Sequence, residues 1–339
     1  MILLCYGTRP EWIKIKPLIE EFKKNDFSYK ILFSGQQEDI GQFDYDWRIN
    51  IANRENRLDS IVHDSMNVLT NLDNNITHVL VQGDTTSALA IALSAFHHGF
   101  KVIHLEAGLR TYDKENPYPE EINRRIISQI ADIHFCPTEQ NAQNLYNEHI
   151  TSKHIYVVGN TAIDNLVSWK KNVDIYSNSN LVLITLHRRE NHHWMDEWFI
   201  EINKIAKKYN YLTFIFPVHP NPNVQKHKTL IDASNIMLVE PYNHNDFLNV
   251  MVNSRLVITD SGGIQEECSF FNIRCLVCRK VTERPEALGL SSVLVKSPSE
   301  LSVIFDKYVN DYQFQYECPF GNGHSAEKIV NILKNILNK

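Results

Sequence analysis

Acidic and basic side chains are concentrated in one short span that follows an apolar run. The span HLEAGLRTYDKENPYPEEINRR, residues 104–125, contains five carboxylates and three arginines. Glu106 ends the apolar run, where a charged side chain is uncommon unless it is paired or lies in a cleft. Glu120 follows a proline at the expected start of a helix, and Arg124 lies four residues further along the same helical face. A solvated surface explains the charges between these positions but not Glu106, so we predict functional roles for Glu106 and Glu120.

Two other turns in the first half of the chain have residues suited to binding an anion or capping a helix. In GTRPEWIKIK, Gly7 allows a tight turn, and Arg9 and Lys14 can lean toward an anion near a helix N-terminus. In QGDTTSALA, Asp84 and the threonines that follow it suit either a helix N-cap or a ligand. Neither turn is a GxGxxG or Walker loop, so no dinucleotide or P-loop site is indicated.

Histidines follow two apolar runs in the second half of the chain. His187 comes directly after LITL, and His219 lies in the proline-stiffened loop PVHPNPNV. An imidazole has an ordinary pKa near 6.5, which suits proton transfer or a charge-assisted contact. The run HRRENHH lacks the HxxxH spacing of metal ligands, so we expect no metal there.

The segment VITDSGGIQEECSFF has the order strand, tight turn and helix. Ser261, Gly262 and Gly263 would expose backbone N–H groups at the positive end of a helix, where a diphosphate binds well. Glu267, further along the helix, can accept hydrogen bonds from ribose hydroxyls. A Ser-Gly-Gly turn alone is a weak signal, and its position between a strand and a helix makes it stronger.

The elements that position these loops alternate between short apolar runs and longer amphipathic segments. Such alternation predicts parallel sheets covered by helices on both faces. The strands are too many for one open sheet, and the polar stretch SWKKNVDIYSNSN at 168–180 divides them into two comparable halves. We therefore predict two Rossmann-like domains with a cleft between them, and ligand-binding loops beyond the carboxyl ends of the strands.

Composition excludes several other classes of protein. The chain has 339 residues, 43% of them hydrophobic, which is enough to form two cores. A formal net charge of −6 argues against nucleic-acid binding. The start, MILLCYGTRP, lacks a basic n-region and a long apolar core, so we expect a cytoplasmic protein that does not enter a membrane. CLVC at 275–278 is a lone CxxC, which is more typical of a buried strand than of a zinc site.

Seven motifs occur in the order and approximate spacing of the non-hydrolysing UDP-N-acetylglucosamine 2-epimerases, and the sequence resembles that family over nearly its whole length. The motifs are GTRPEWIKIKP, GDTTSALA, HLEAGLRTYD with NPYPEEINRR, HRREN, PVHPNPNV, TDSGGIQEE and TERPEA. The resemblance continues to CPFGNGHSAEKIVNIL near the C-terminus. Seven ordered motifs are far more specific than any one of them.

The resemblance implies an α/β fold of the GT-B type, with two Rossmann-like doubly wound domains and an interdomain cleft. We expect an N-terminal domain with the catalytic carboxylates over residues 1–167 and a UDP-binding domain over residues 168–315. In family members a last helix typically returns to the first domain. We therefore expect the helix in residues 316–339 to pack on the N-terminal domain.

The activity implied by the resemblance is the interconversion of UDP-GlcNAc and UDP-ManNAc for cell-surface polysaccharide precursors, by a homodimer with no cofactor. In family terms, anti elimination of UDP gives 2-acetamidoglucal, and UDP re-adds after the proton returns on the other face. The C2 proton is not adjacent to a carbonyl carbon. An enzyme therefore gains most by stabilising the departing diphosphate and holding carboxylates on both faces of the sugar ring.

The resemblance also assigns residues to roles. The positions that match the family's catalytic residues are Asp84, Glu106, Glu120 and His187. Those that match positions that hold the substrate in the family are Arg9, Lys14 and Arg124. Those that match its UDP-side residues are His219, Phe247, Ser261, Gly262, Gly263, Glu267 and Arg284.

One segment departs from the family pattern. The usual TGQH reads SGQQ at 34–37, EDIGQFDYDW follows it, and the next segment is shorter. In many bacterial members this region contributes to a second, allosteric nucleotide-sugar site, so we do not expect activation by UDP-GlcNAc here. The alternatives are an epimerase of a related UDP-acetamido sugar, a hydrolysing epimerase, a GT-B glycosyltransferase and a nucleotide-sugar sensor without turnover.

Overall fold

The computed structural model of the chain describes residues 1–37, 44–71, 75–171 and 180–337. The chain divides into two compact units. Unit 1 consists of Met1–Ser168 and Phe320–Lys339, and unit 2 of Trp169–Pro319. Part of the departing segment, residues 38–43, and part of the predicted divider, residues 172–179, lie outside the described residues.

Unit 1 is built on a parallel sheet with the order β3-β2-β1-β4-β5-β6-β7. Its strands are β1 (Ile2–Tyr6), β2 (Tyr29–Phe33), β3 (Trp47–Arg48), β4 (His78–Gln82), β5 (Lys101–Leu105), β6 (Ile133–Cys136) and β7 (Ile155–Val157). Its first six helices are α1 (Arg9–Lys24), α2 (Arg57–Met66), α3 (Thr86–His97), α4 (Glu120–Ile130), α5 (Glu139–Asn147) and α6 (Thr161–Lys170). A 3-10 turn spans Val68–Asn71.

Both faces of the unit 1 sheet are buried. Side chains of β1 alternate between the two faces, so Leu4 and Tyr6 pack with α1 residues such as Phe22, and Leu3 packs with α3 residues such as Ile91. This burial on both faces explains why the strands are continuously apolar in sequence.

Unit 2 repeats the architecture, with the strand order β10-β9-β8-β11-β12-β13 and only parallel pairs among its strands. Its strands are β8 (Leu181–Thr185), β9 (Thr213–Pro217), β10 (Ile236–Val239), β11 (Ser254–Thr259), β12 (Arg274–Cys278) and β13 (Ser292–Val295). Its helices are α7 (Met195–Lys208), α8 (Pro222–Gln225), α9 (His244–Val252), α10 (Gly262–Phe271) and α11 (Pro298–Tyr308). Shorter 3-10 turns span Arg189–Trp194, Lys228–Leu230 and Pro285–Ala287.

The last helix, α12 (Ser325–Leu337), belongs to unit 1 although it follows unit 2 in the chain. Ile329, Val330 and Leu333 are fully buried in the same core cluster as Phe22 of α1. The N-terminus of α12 is capped by Asp164 of α6, whose carboxylate accepts hydrogen bonds from the backbone N–H groups of the first two helical residues.

The structure confirms the predicted fold class of two parallel α/β sheets. It also confirms the interpretation of CLVC, since Cys275 and Cys278 are both buried free thiols in β12. No helix within the described residues is long and apolar enough to cross a membrane.

In each unit the strand order reverses between two neighbouring strands. The reversal lies between β1 and β4 in unit 1, and between β8 and β11 in unit 2. The loops that leave two such strands at their carboxyl ends diverge and open a crevice, which is where doubly wound sheets bind ligands. Most of the predicted site residues lie in or near the loops that follow these strands and their neighbours.

Candidate active site

Glu106 follows β5 and has one of the most strongly constrained carboxylates at the carboxyl edge of the unit 1 sheet. It is 7% exposed. One oxygen accepts hydrogen bonds from Lys14 Nζ at 2.5 Å and from Asn160 Nδ2 at 3.0 Å, and the other accepts one from Gln82 Nε2 at 2.5 Å. An ammonium group and two amide N–H groups stabilise the ionised form of this carboxyl group.

The backbone at Glu106 is also unusual. Its φ is +66°, in the left-handed region that residues other than glycine rarely adopt. Such a conformation persists only where the surroundings determine it, and it is common at functional sites. This backbone turn points the Glu106 side chain toward Lys14 and Asn160. Sequence reasoning identified Glu106 and Lys14 but missed Gln82 and Asn160, because neutral amides give no charge signal.

Asp84 lies at the next loop, after β4, and is joined to α4. Its Oδ2 accepts a hydrogen bond from Arg124 Nε at 2.7 Å, and its backbone carbonyl accepts one from Asn123 Nδ2 at 2.9 Å. Arg124 is 2% exposed, and its Nη1 donates to Glu121 Oε2 at 2.8 Å. Glu121 in turn accepts the backbone N–H groups of residues 111 and 112. The predicted site residues Asp84 and Arg124 are therefore in direct contact.

Glu120 and Arg9 occupy the first positions of two helices. Glu120 begins α4 and is partly buried. Arg9 begins α1 and is exposed, and its backbone N–H donates to Gln37 Oε1 at 3.1 Å. Thr8 caps α1 by accepting from Glu11 N, and Thr85 caps α3 in the same way, so the capping interpretation of both turns is confirmed for these threonines.

The SGQQ segment, which departs from the family pattern, contacts the N-terminal ends of α1 and α3. Gln37 accepts the backbone N–H of Arg9, and Gln36 Oε1 accepts the backbone N–H of Ser87 in α3 at 2.9 Å. Two amide oxygens therefore hold N–H groups that would otherwise be available to an anion at the N-termini of α1 and α3.

Glu11 is a buried carboxylate that sequence reasoning missed. It is 3% exposed and accepts hydrogen bonds from Gly7 N at 2.9 Å, Thr8 Oγ1 at 2.8 Å and Thr85 Oγ1 at 2.7 Å. It thus ties the turn after β1 to the turn after β4. Burial raises the pKa of Glu11 to about 7, against the pull of these hydrogen bonds. The spacing Thr8-x-x-Glu11 is that of a capping box and could have predicted the contact.

In unit 2, His187 and His219 meet at the carboxyl edge of the sheet. Their rings stack at a centroid distance of 5.2 Å and an interplanar angle of 14°. Burial lowers the pKa of His187, and the carboxylate of Asp260 opposes that shift. Burial also lowers the pKa of His219. The ring nitrogens of this pair are therefore biased toward the neutral form at neutral pH, in which one nitrogen donates and the other accepts.

Asp260 was not predicted from the sequence, although it directly follows β11 and directly precedes the Ser-Gly-Gly turn. It is 0% exposed and accepts the backbone N–H groups of His187 and Arg188 as well as Asn191 Nδ2. Two side-chain nitrogens of the segment after β8, Arg188 Nε and His192 Nε2, are buried without a hydrogen-bond partner within the described residues, and the guanidinium nitrogen is always a donor. Unsatisfied buried donors are costly, which is consistent with a role in holding an anion.

The Ser-Gly-Gly turn opens α10 as expected. The Ser261 side chain makes no capping hydrogen bond, so it leaves the N-terminal N–H groups of the helix uncovered by that hydroxyl. A Cβ on Gly262 would lie 2.3 Å from Arg284 Nη1, and one on Gly263 would meet no heavy atom closer than 4.0 Å. Gly262 is therefore required for packing, whereas the space beside Gly263 is open to a ligand.

Arg284 lies behind this turn and is mostly buried. Its Nε donates to Glu266 Oε1 and its Nη1 to Glu283 Oε1, both at 2.5 Å. Glu283 also accepts from Arg279, which is bound to Glu190 as well. Because its guanidinium is held by two carboxylates, Arg284 cannot yield to a side chain at position 262.

The remaining predicted residues lie on α9 and α10. Glu267 Oε1 lies 3.0 Å from His244 Nε2, within hydrogen-bonding distance. Phe247, on α9 one turn after His244, is partly buried. No group of three His, Cys, Asp or Glu side chains suited to a metal ion occurs in the part of the chain that the structure describes.

The chain is similar to known proteins over nearly its whole length. The sequence model of the family described as UDP-N-acetylglucosamine 2-epimerase matches residues 21–334. The UDP-N-acetylglucosamine 2-epimerase of Campylobacter jejuni is 38% identical over 376 residues, covering 98% of this chain and 97% of that protein.

Solved structures share the fold as well. The UDP-GlcNAc 2-epimerase from Neisseria meningitidis bound to UDP-GlcNAc is 35% identical with a TM-score of 0.91, and the match covers 98% of this chain and 99% of that one. The Methanocaldococcus jannaschii UDP-GlcNAc 2-epimerase in complex with UDP-GlcNAc and UDP is 32% identical with a TM-score of 0.85, covering 98% and 99%. These matches extend over both units.

Proposed function

This chain belongs to the UDP-N-acetylglucosamine 2-epimerase family, and from that membership we propose that it interconverts UDP-GlcNAc and UDP-ManNAc without hydrolysing either. The reaction would supply precursors of cell-surface polysaccharide in the cytoplasm. The observation that carries the proposal is Glu106, a buried carboxylate with Lys14 beside it at the ligand-binding edge of unit 1. A group of this kind can remove a weakly acidic proton only where the leaving group is stabilised at the same time.

The proposed reaction is an elimination followed by an addition. A carboxylate removes the C2 proton, the C2–H electron pair forms a C1–C2 double bond, and the C1–O electron pair leaves with UDP. The resulting 2-acetamidoglucal then takes a proton on the opposite face of C2, and UDP re-adds at C1. No water is consumed and no cofactor is needed, because the sugar is neither oxidised nor reduced overall.

We assign the proton-transfer steps to carboxylates of unit 1. Glu106 is positioned by three hydrogen-bond donors, and we propose that it acts as a base. Glu120 and Asp84 are the other candidates for the opposite face. Arg124 is bound to Asp84 and nearly inaccessible to solvent, so we propose that it acts through Asp84. Arg9 is exposed at the start of α1, and we propose that its guanidinium approaches the anionic substrate.

We assign the diphosphate and nucleoside to unit 2. The uncovered start of α10 at Ser261–Gly263 provides N–H groups at the positive end of a helix. Arg188 Nε and His192 Nε2 are buried nitrogens that have no hydrogen-bond partner in the described part of the chain, and His187 and His219 lie on adjacent loops. Glu267, Phe247 and Arg284 are the remaining candidates for the nucleoside side.

We also propose a homodimer. Large apolar side chains are exposed on neighbouring helices of unit 1, including Ile122 and Ile126 one turn apart on α4 and Phe96 on α3. Exposed apolar patches of this kind mark interaction surfaces, and a twofold axis would bury the same patch on both copies.

The decisive experiment incubates the protein with UDP-GlcNAc in deuterated water and follows the sugar by NMR. We expect deuterium at C2 and a mixture of UDP-GlcNAc and UDP-ManNAc that forms from either side. Free ManNAc with UDP would show a hydrolysing epimerase instead. Sugar transfer to an acceptor without deuterium at C2 would favour a glycosyltransferase. Binding of the nucleotide sugar without turnover would favour a sensor. Turnover of only another UDP-acetamido sugar would favour a related epimerase.

A further inference from the structure

We propose that Asp260 is a positioning residue that fixes the loop of His187 and the tautomer of its ring, leaving Nε2 as the nitrogen that faces the ligand. The proposal deepens the function proposed above and rests on the role of His187 in it. Asp260 itself touches no reacting atom and acts through His187.

The carboxylate of Asp260 organises the whole start of the loop after β8. His187 N lies 3.2 Å from Oδ1 and 3.0 Å from Oδ2, Arg188 N donates to Oδ2 at 2.8 Å, and Asn191 Nδ2 donates to Oδ2 at 3.0 Å. Asp260 directly follows β11, the strand paired with β8 at the point where the strand order reverses. One fully buried carboxylate therefore joins the two loops that border the ligand-binding crevice of unit 2.

The same carboxylate faces the His187 ring. Nδ1 lies 3.6 Å from Asp260 Oδ1, beyond a normal hydrogen bond but close enough for an electrostatic preference, since the carboxylate is fully buried although the His187 side chain is 33% exposed. A lone pair on Nδ1 would face an anion, whereas an N–H on Nδ1 would face an acceptor. The carboxylate thus favours the proton on Nδ1, and the stacked ring of His219 limits rotation to a different arrangement.

The tautomer matters because the surroundings keep the ring neutral. Burial, Arg188, His219 and His192 all lower the pKa of His187, and Asp260 is the group that raises it. A neutral imidazole donates through one nitrogen and accepts through the other. With Nδ1 protonated, Nε2 keeps a lone pair and can accept a proton or a hydrogen bond from the ligand, which is how a carboxylate behind a histidine directs its chemistry.

The test measures ring nitrogens directly, in protein labelled with 15N-histidine, with the His187 signals assigned by their loss in His187→Gln. In the wild type at pH 8 we expect the neutral tautomer with Nδ1–H. In Asp260→Asn, a nearly isosteric change, we expect a rise in the Nε2–H form and a further lowering of the His187 pKa, because the charge that raises it is lost. Asp306→Asn, which removes a partly exposed carboxylate of the same unit, should leave the His187 signals unchanged.

Steady-state kinetics complete the test. If His187 serves the proposed epimerisation, Asp260→Asn should lower kcat at least about tenfold while KM changes by less than about threefold, because a misdirected ring impairs the chemical step more than binding. An Nε2–H tautomer in the wild type overturns the proposal even if Asp260→Asn fails to fold. A wild-type kcat in a folded Asp260→Asn also overturns it. Failure of the proposed epimerisation would instead appear as absence of turnover in the wild type, with the NMR result unaffected.

Discussion

At the scale of single residues, Glu106 gives the sharpest prediction for activity. Glu106→Gln keeps the shape of the side chain but replaces one acceptor oxygen by a donor that faces Lys14 or an amide N–H. We expect kcat to fall by a factor on the order of 10²–10⁴, because a positioned base is lost, while UDP still binds. Coupled turnover assays and calorimetric titration with UDP would measure the two effects separately.

The matched control for this prediction is Glu115→Gln, which changes an exposed carboxylate of the same charged span. It should retain wild-type kcat. Glu120→Gln should behave like Glu106→Gln if Glu120 also transfers a proton. Wild-type turnover in both Glu106→Gln and Glu120→Gln would remove these residues from the mechanism.

Glu11 gives a prediction for stability against pH. Its pKa is about 7 in the folded chain and near the ordinary glutamate value of 4.5 when unfolded. The folded state therefore binds the proton more tightly, so this group's contribution to stability is complete below pH 4.5 and is lost as the pH rises through 7. The loss is on the order of 3 kcal/mol.

The variant Glu11→Gln cannot ionise and escapes this loss. The difference in unfolding free energy between Glu11→Gln and the wild type should therefore shift in favour of the variant between pH 5 and pH 8, as measured by urea unfolding. Glu20→Gln, at an exposed position of the same helix, is the control and should show no such shift. Parallel pH curves for Glu11→Gln and the wild type would contradict a buried, titrating Glu11.

At this scale, site residues can be predicted from their positions in loops, but the direction of each side chain cannot. Glu120 and Glu121 are adjacent acids, and about 100° of helical rotation separates them. Only the structure shows that Glu121 is the one buried against Arg124. Asp260 was not predicted for a different reason. Its neighbours Ser261 and Gly262 belong to a more familiar motif, and the sequence does not show that the Asp260 side chain binds the loop after β8.

At the scale of elements, hydrophobic patterning located the strands well because parallel strands buried on both faces are continuously apolar. Patterning gives little signal for two short strands, β3 and β13. β3 has two residues, too few for any pattern, and β13 is a four-residue edge strand next to polar turns. The helix α1 runs through Pro17, since packing of its apolar face outweighs the local cost of a proline.

The helix α12 provides the prediction at this scale. Leu333 is fully buried between α12 and the sheet of unit 1, so Leu333→Ala should lower the unfolding free energy of unit 1 by about 2–5 kcal/mol. Asn331→Ala, at an exposed position of the same helix, should change it by less than about 0.5 kcal/mol. Chemical denaturation followed by tryptophan fluorescence would measure both, and equal effects would argue against the packing of α12.

At the scale of the whole molecule, a charged side chain placed in the proposed dimer interface tests the homodimer. Ile126→Asp places a carboxylate in the exposed apolar patch on α4, where burial against a second copy would be costly. We expect light scattering to give a dimer mass for the wild type and a monomer mass for Ile126→Asp. Val303→Asp, which changes an exposed apolar residue of α11, should remain dimeric. A monomeric wild type would refute the proposal.

The division of the chain into two similar halves was readable from the sequence because it depends on counting strands. The location of α12 was not, since the face of an amphipathic helix does not specify which sheet it covers. The expectation that the last helix belongs with the first half came only from the resemblance to the family. In the structure, the buried contacts of Ile329 and Leu333 with the α1 cluster account for its position.

Because α12 covers a sheet whose strands precede unit 2, synthesis and folding proceed in different orders. On the ribosome, β1–β7 emerge first, and residues 169–319 must be translated before α12 appears. At ~5–20 residues per second, that interval is on the order of 10–30 s. During it Leu18 and Phe22 of α1, and the residues packed around them, lack the cover that α12 later provides. Chaperone binding to ribosome-bound chains should therefore persist until α12 leaves the exit tunnel.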